Sequence, residues 1–206
     1  MTINPTTNLI RLIQPHVQQA AVTLGKVFHN DPWMSCLYPD EVERRRRLPV
    51  LFEIALRYAL RYGEITATAD VTGMACWLPP GNTTPTLGRM LSTGALQRSL
   101  QLGLQGNIRS NKVQIYQNSL HKHHALEPHW YLWVLGVDTA VQGKGIGSTL
   151  LQSGLEQVDR AGLPAYLETM NPSNVPFYQK FGFSVVHEGD IPGSNIHMWS
   201  LLRTPR

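Results

Sequence analysis

The chain has 206 residues, of which 42% are hydrophobic and 16% are charged, and its formal net charge is +4. These values are typical of an ordinary globular domain with a substantial core. Two cysteines, Cys36 and Cys76, are too few for a disulfide framework, and the longest apolar run, 130–137, is shorter than the roughly 20 residues of a membrane-spanning helix. Residues 1–25 show no secretory signal pattern, so we expect a cytoplasmic protein without a membrane partner.

Basic residues are clustered only at Arg44–Arg47, beside Glu41 and Glu43. Such a run is typical of a solvated helix face, and nucleic-acid binding needs more basic and aromatic residues in one place. We therefore expect no nucleic-acid partner. The mild positive charge suits an anionic ligand such as a nucleotide-bearing cofactor.

The first 62 residues predict two helical regions. Apolar residues recur at helical spacing over 15–29, and Asn30-Asp31-Pro32 then ends that segment. A second helical pattern runs from about 40 to 62, where Pro49 is expected to kink the helix or to start a new one.

A hairpin and a less regular segment follow. Residues 64–69 and 72–78 are short β-prone runs that predict two antiparallel strands. Pro79-Pro80-Gly81 stops the hairpin. Residues 82–110 predict a loop and a loosely specified helix, and 111–125 is again helical.

From residue 130 onward the sequence indicates secondary structure more clearly. The continuous apolar run 130–137 is typical of a strand buried on both faces. A glycine loop at 142–147, an amphipathic helix from about 146 to 161 and a strand at 165–170 complete a βαβ unit, which requires a parallel strand pair. The remaining predicted elements are a short helix and two strands, at 175–180, 183–187 and 195–201.

The glycine loop Gln142–Gly147 lies between a buried strand and an amphipathic helix. Free backbone N–H groups point outward there at the positive end of the helix dipole, and glycine lets the chain approach a phosphate closely. The segment therefore predicts an anion cradle suited to a pyrophosphate. Its spacing matches neither a P-loop, since no lysine follows Gly147, nor the dinucleotide pattern Gly-x-Gly-x-x-Gly. The glycines alone also fit a tight turn between packed elements.

Two blocks of sequence resemble the GCN5-related N-acetyltransferase (GNAT) superfamily. Gln142-x-x-Gly145-x-Gly147 after an apolar strand is similar to the cofactor signature of that superfamily. Farther along, Asn171, Tyr178 and Gly182-Phe183 resemble the segment that follows the next strand in the superfamily, in the expected order.

The resemblance implies a mixed α/β fold. It implies a twisted mixed sheet of about six or seven strands flanked by helices, splayed open between the strands at 130–137 and 165–170. It also implies one domain over 1–206, with an N-terminal, substrate-side part to about 128 and a cofactor-binding core at about 129–203.

The resemblance implies acetyl-CoA as the cofactor. Its pantetheine arm would lie in the gap of the sheet and pair with backbone groups near Leu135 and Val137, as in strand addition, while its phosphates would rest on N–H groups of 143–148. The residues expected to bind the cofactor are Leu135, Gly136, Val137, Gln142, Gly143, Lys144, Gly145, Ile146, Gly147, Ser148, Asn171, Asn174 and Tyr178.

Three residues are candidates for the chemistry. Tyr178 matches the family tyrosine that protonates the leaving sulfur, and a helix capped by Asn174 with Pro176 in its first turn would position it. A core tyrosine bonded to the backbone is the alternative. Glu168 is a candidate general base, because burial would raise the pKa of its carboxyl; a basic neighbour would instead make it a simple ion pair. His129 is the rival base, because imidazole titrates near neutral pH.

The resemblance thus predicts acetyl transfer to a primary amine, of a small molecule, by direct attack in a ternary complex. The acceptor side is expected to be lined by the N-terminal helices, the 79–90 loop and Trp33, Trp77 and Trp130. Two alternatives remain open: a non-catalytic, regulatory acyl-CoA-binding module, which would have no use for Tyr178, and a nucleotide-binding domain of dinucleotide type.

The remaining expectations concern metals and assembly. His121, His123 and His124 share a helix, but no cysteine or carboxylate pair completes a metal site, so we expect exposed histidines and no metal. A monomer or a homodimer is expected.

Overall fold

A seven-stranded sheet organises the protein, seen in a computed structural model that describes residues 8–205 apart from the side chain of Leu96. The strands lie in the order β1-β2-β3-β4-β5-β7-β6, and all neighbours are antiparallel except β4 and β5. Their bounds in chain order are β1 Leu9–Arg11, β2 Glu64–Thr68, β3 Gly73–Leu78, β4 Trp130–Val137, β5 Ala165–Thr169, β6 Ser184–Asp190 and β7 His197–Arg203. The predicted mixed α/β fold with six or seven strands is confirmed.

Eight α-helices accompany the sheet within residues 8–205. They are α1 Val17–Val27, α2 Pro32–Leu37, α3 Glu41–Tyr62, α4 Leu87–Ser92, α5 Ala95–Ser99, α6 Leu104–His124, α7 Ile146–Arg160 and α8 Val175–Gln179. Asp31 and Asp40 begin α2 and α3, because each carboxylate accepts N–H groups of the first turn. In this part of the chain, no helix is both long and apolar enough to cross a bilayer.

Two details of α3 differ from the sequence prediction. The helix continues through Pro49, whose ring packs against Gly25 of α1, so no new helix starts there. Arg44 does not lie on a solvated face as predicted: it is buried, and its Nη1 donates to the carbonyl oxygens of Tyr38 and Pro39 at 2.6 and 3.1 Å. A guanidinium can be buried because five N–H donors let backbone carbonyls satisfy it.

The hydrophobic core has one part on each face of the sheet. On one face α1 and α3 pack through residues such as Leu24, Leu48 and Tyr58, while α7 packs on the other face. Trp77 and Trp130 belong to the α7 side, so the prediction that they line the acceptor side is wrong. Trp77 fits there because its α7 neighbour is Gly154, where any Cβ would overlap the indole ring.

Strands β4 and β5 separate soon after they meet. Their parallel pairing is limited to Trp130 with Ala165 and Tyr131 with Tyr166, whereas β4 pairs with β3 over 131–137. The register with β3 shifts by one residue at Trp133, which forms a β-bulge. Beyond Tyr131, a gap therefore opens between β4 and β5, as the sequence resemblance predicted.

Candidate active site

The glycine loop presents a row of free amide groups at the start of α7. Gly143 and Gly145 have φ angles of 77° and 82°, a region that favours glycine, and Gly145 begins the helix without a side-chain cap. Within residues 8–205, no acceptor is found for the N–H groups of Ile146, Gly147 or Ser148. These amides, at the positive end of the α7 dipole, form the predicted anion cradle.

The side chain of Gln142 holds the loop to β4. Its Nε2 donates to the carbonyl oxygen of Val137 at 2.9 Å, where the strand ends. Asp138 shapes the intervening turn by accepting the N–H of Ala140 at 3.0 Å. The loop is therefore fixed at its N-terminal end by hydrogen bonds that the sequence pattern did not reveal.

A cavity of about 670 Å³ lies between this loop, the end of β4 and α8; we call it the loop cavity. The residues predicted to bind the cofactor that line it are Leu135, Gly136, Val137, Gln142, Gly143, Gly145, Ile146, Gly147, Ser148, Asn171, Asn174 and Tyr178. Lys144 is exposed and lies outside the lining of this cavity. Phe28 and Asp31, at the end of α1 and the start of α2, also line it and were not predicted.

Asn171 and Asn174 both line the loop cavity, but Asn174 does not cap α8 as predicted. Asn171 Oδ1 accepts the N–H of Ser173 at 3.0 Å and so starts a 3₁₀ turn at 172–174. Asn174 is already helical, because α8 continues directly from that turn, so it does not cap α8 with its side chain. Its Nδ2 instead donates to Thr169 Oγ1 at 3.1 Å, tying the start of α8 to the end of β5.

A second cavity, of about 240 Å³, lies on the α1–α3 side of the gap; we call it the inner cavity. Its walls come from α1, α2, α3, α4, α6, β4 and β5, so the poorly predicted segment 82–128 supplies part of them. Of the three predicted acceptor-side tryptophans, Trp33 lines it, and the bulged Trp133 takes the place of the other two. The two cavities share Phe28, Asp31, Leu135, Asn174 and Tyr178.

Tyr178 lies where the two cavities meet. Its side chain is 7% exposed and packs against the rings of Phe177 and Phe183. No hydrogen-bond partner is found for its hydroxyl among residues 8–205, so this tyrosine is not tied to the backbone. Burial raises the pKa of Tyr178 above its usual value, and the phenol therefore keeps its proton at neutral pH.

Glu168 lies on β5 and lines the inner cavity. Its carboxylate accepts hydrogen bonds from Tyr131 Oη, Tyr166 Oη and Gln117 Nε2 at 2.9, 3.0 and 3.1 Å. Burial raises the pKa of Glu168 to about 7, although these three donors act in the opposite direction. No ion pair to a basic side chain is found for it in the described part of the chain. A carboxyl near pH 7 can exchange a proton at neutral pH.

His129 occupies a different environment from Glu168. It is buried outside the lining of both cavities, with Nδ1 donating to the carbonyl oxygen of Glu127 at 2.7 Å and Nε2 accepting from His121 Nε2. Burial lowers the pKa of both rings, that of His121 to about 4. His121 is thus buried rather than exposed as predicted, and both imidazoles are neutral at pH 7.

Sequence reasoning missed the donors around Glu168. Tyr166 precedes it by two residues on a strand, which places both side chains on one face, and Tyr131 pairs with Tyr166 in the β4–β5 register. Strand periodicity could have found Tyr166, but Gln117 comes from α6 with no local signal. Metal chemistry has no candidate site here: among residues 8–205 no group of three or more His, Cys, Asp or Glu side chains is placed to hold an ion.

Sequence comparison relates the chain to known acetyltransferases. Residues 113–183 match the family model described as acetyltransferase (GNAT) family. An uncharacterized N-acetyltransferase of Schizosaccharomyces pombe is 29% identical over 175 residues, which cover 81% of this chain and 70% of that protein.

Solved structures share the fold. A structure from Corynebacterium glutamicum, described as histone acetyltransferase HPA2 and related acetyltransferase, superposes with a TM-score of 0.66 at 20% identity, covering 97% of this chain and 96% of that one. Arylalkylamine N-acetyltransferase 2 from Aedes aegypti superposes with a TM-score of 0.61 at 14% identity, covering 97% and 99%. The matched family segment contains both sequence blocks around the loop cavity, so the chain is similar to acetyltransferases of the GNAT family in that segment and in its fold.

Proposed function

We propose that the chain is an acetyl-CoA-dependent N-acetyltransferase that acts on the primary amine of a small molecule. The observation that carries this proposal is that two cavities share Tyr178, for whose hydroxyl no hydrogen-bond partner is found among residues 8–205. A two-substrate transfer needs two binding spaces that share one reacting point, because both reactants must be held together.

The loop cavity fits the diphosphate and pantetheine of acetyl-CoA. The free amides of Ile146, Gly147 and Ser148 suit a phosphate, and an added Cβ at Gly143 or Gly145 would point into open space. The gap beyond Tyr131 leaves one side of β4 free to pair with an extended arm. Acetyl-CoA supplies an activated thioester, so the protein has to position the two reactants and to accept and donate protons.

Two side chains of this protein carry out the proton transfers that the reaction requires: one accepts a proton and the other donates one. In total, an ammonium acceptor loses two protons. The ionised Glu168 carboxylate takes the first proton. The departing sulfur receives a proton from Tyr178 Oη as the carbon–sulfur bond breaks, and the second proton lost by the amine makes up for that one. Gln117, Tyr131 and Tyr166 position the Glu168 carboxylate through their hydrogen bonds. His129, buried away from both cavities, has no part in this scheme.

A small acceptor is favoured by the dimensions of the inner cavity. Its volume of about 240 Å³ is below the roughly 300–1,000 Å³ of drug-sized ligand pockets, and its walls come from several helices. A fold neighbour named for arylalkylamines is consistent with a small amine at this position of the fold.

The test is release of free thiol from acetyl-CoA in the presence of a broad panel of primary amines. We expect amine-dependent thiol release that falls strongly in Tyr178→Phe and Glu168→Gln. Tyr62→Phe is a matched control, because its hydroxyl bonds Ser92 outside both cavities. Tight binding of acetyl-CoA without amine-dependent release across the panel would instead identify a non-catalytic binding module.

A further inference from the structure

The inner cavity carries negative charge without a compensating cation. Asp31 and Glu168 line it, whereas no lysine, arginine or histidine among residues 8–205 does. The three donors to Glu168 are neutral groups. Asp31 Oδ1 accepts the N–H groups of Trp33 and Met34 at 2.9 and 3.4 Å, and no partner is found in that range for Oδ2. The cavity therefore favours a positively charged ligand.

The rest of the wall is largely apolar and aromatic. Trp33, Phe52, Met90 and Trp133 lie around the cavity, and the polar side chains of the lining include Ser110 and Gln114 of α6. Aromatic faces stabilise a nearby ammonium and also cover an apolar ligand body. A second cation placed against this apolar part, away from Asp31 and Glu168, would have no charged partner.

The volume limits what the apolar part can hold. An engineered cavity of about 150 Å³ is sufficient for benzene, so about 240 Å³ accommodates a single ring with a short aliphatic arm. A larger polycyclic body would extend beyond this space, into solvent or into the loop cavity.

We propose that the acceptor is a compact primary monoamine: one ammonium group joined by a short arm to one aromatic ring or to an apolar group of similar size. It carries no carboxylate beside the amine and no second cation. This inference rests on the proposed acetyltransferase function. An amino acid is disfavoured because its carboxylate would face Asp31 and Glu168 with no cation to pair with it.

The experiment compares kcat/KM for 2-phenylethylamine, phenylalanine and spermidine with acetyl-CoA as donor. We expect 2-phenylethylamine to exceed each of the other two by tenfold or more. A smaller margin, or preference for phenylalanine or spermidine, overturns the substrate class and leaves the proposed function standing. Acetyl transfer to none of these or any other amine, while acetyl-CoA still binds, overturns both.

Asp31→Asn tests the role of charge directly. Asparagine begins helices as well as aspartate does, so α2 keeps its cap while the cavity loses one negative charge. We expect KM for 2-phenylethylamine to rise at least fivefold. Asp40→Asn is the matched control, because Asp40 caps α3 in the same way, by accepting the N–H of Glu43 at 2.7 Å, outside both cavities. Equal KM values for the two variants contradict the charge argument.

Discussion

The raised pKa of Glu168 makes the stability of this protein depend on pH in a way that a single substitution can isolate. Burial brings the pKa of its carboxyl from the usual 4.5 to about 7, so the folded chain holds this proton more tightly than the unfolded chain. Between about pH 4.5 and pH 7 the folded state then binds more protons, and the free energy of unfolding falls as the pH rises. Above about pH 7 Glu168 is ionised in both states, so its ionisation no longer changes the free energy of unfolding as the pH rises.

The size of this effect follows from the shift itself. Each pKa unit corresponds to about 1.4 kcal/mol, so a shift from 4.5 to about 7 corresponds to about 3 kcal/mol. Glu168→Gln removes the ionisation but keeps the shape of the side chain. We expect the stability of the variant relative to the native chain to increase by up to about 3 kcal/mol between pH 4.5 and pH 8.

The assay is urea unfolding of both proteins at half-unit steps from pH 4.5 to pH 8.5. Every other titrating group is common to the two chains, so the difference between their unfolding free energies reports Glu168. Glu156→Gln is the matched control, because it makes the same change at an exposed position of α7. A flat difference for Glu168→Gln would show that its carboxyl ionises normally, and the reasoning would be refuted.

Catalysis should follow the same ionisation. If Glu168 accepts the proton of the amine, kcat/KM of the native enzyme falls below about pH 7, to roughly a tenth of its plateau at pH 6. The Glu168→Gln variant should lose this limb, whereas an intact limb would assign the ionisation to another group.

Three further substitutions test other parts of the site and the core. Tyr178→Phe should lower kcat about tenfold or more with little change in the Kd of coenzyme A, because only a proton donor is lost; unchanged kcat would remove Tyr178 from the chemistry. Gly147→Ala should leave thermal stability nearly unchanged, because the added Cβ would lie 3.7 Å from Val137 and 3.9 Å from Phe177. The same Cβ should crowd the anion cradle and weaken coenzyme A binding about tenfold or more. Equal affinities of the variant and the native chain in titration calorimetry would exclude that cradle. Gly154→Ala should lower the free energy of unfolding in urea by about 1–3 kcal/mol, because the added Cβ would overlap Trp77. Gly88→Ala is the control for both the Gly147 and the Gly154 variant, because a Cβ at Gly88 meets no atom within 4 Å. Equal stability of the Gly154→Ala and Gly88→Ala variants would contradict the packing argument.

The second half of the chain was predictable because local signals there are strong. The apolar run of β4, the glycines before α7 and the helical periodicity of α7 each fix one element, and together they impose the parallel pair of β4 and β5. Most of the loop cavity follows directly, since the lining residues of 135–148 and 171–178 belong to this unit, whereas Phe28 and Asp31 come from a distant segment and were not predicted.

The inner cavity was less predictable because its walls come from distant segments. Gln117 and Met90 reach it from α6 and α4, whose sequences carry weak periodicity, and the three residues of β1 are too few to give a pattern. Trp77 and Trp130 were assigned to the wrong face because the composition of a fully buried strand does not show which side each residue faces. That assignment depends on register and on the bulge at Trp133.

The early separation of β4 from β5 gives the sheet a third edge, in addition to those at β1 and β6. Backbone groups of 132–137 on that side have no strand beside them, but other strands of the sheet flank this slot on both sides. An edge inside the sheet is less open to a strand of another chain than an outer edge is, which limits the aggregation that an open edge invites. The amides in this slot should exchange hydrogen with water quickly in the free protein and slowly once a ligand fills it.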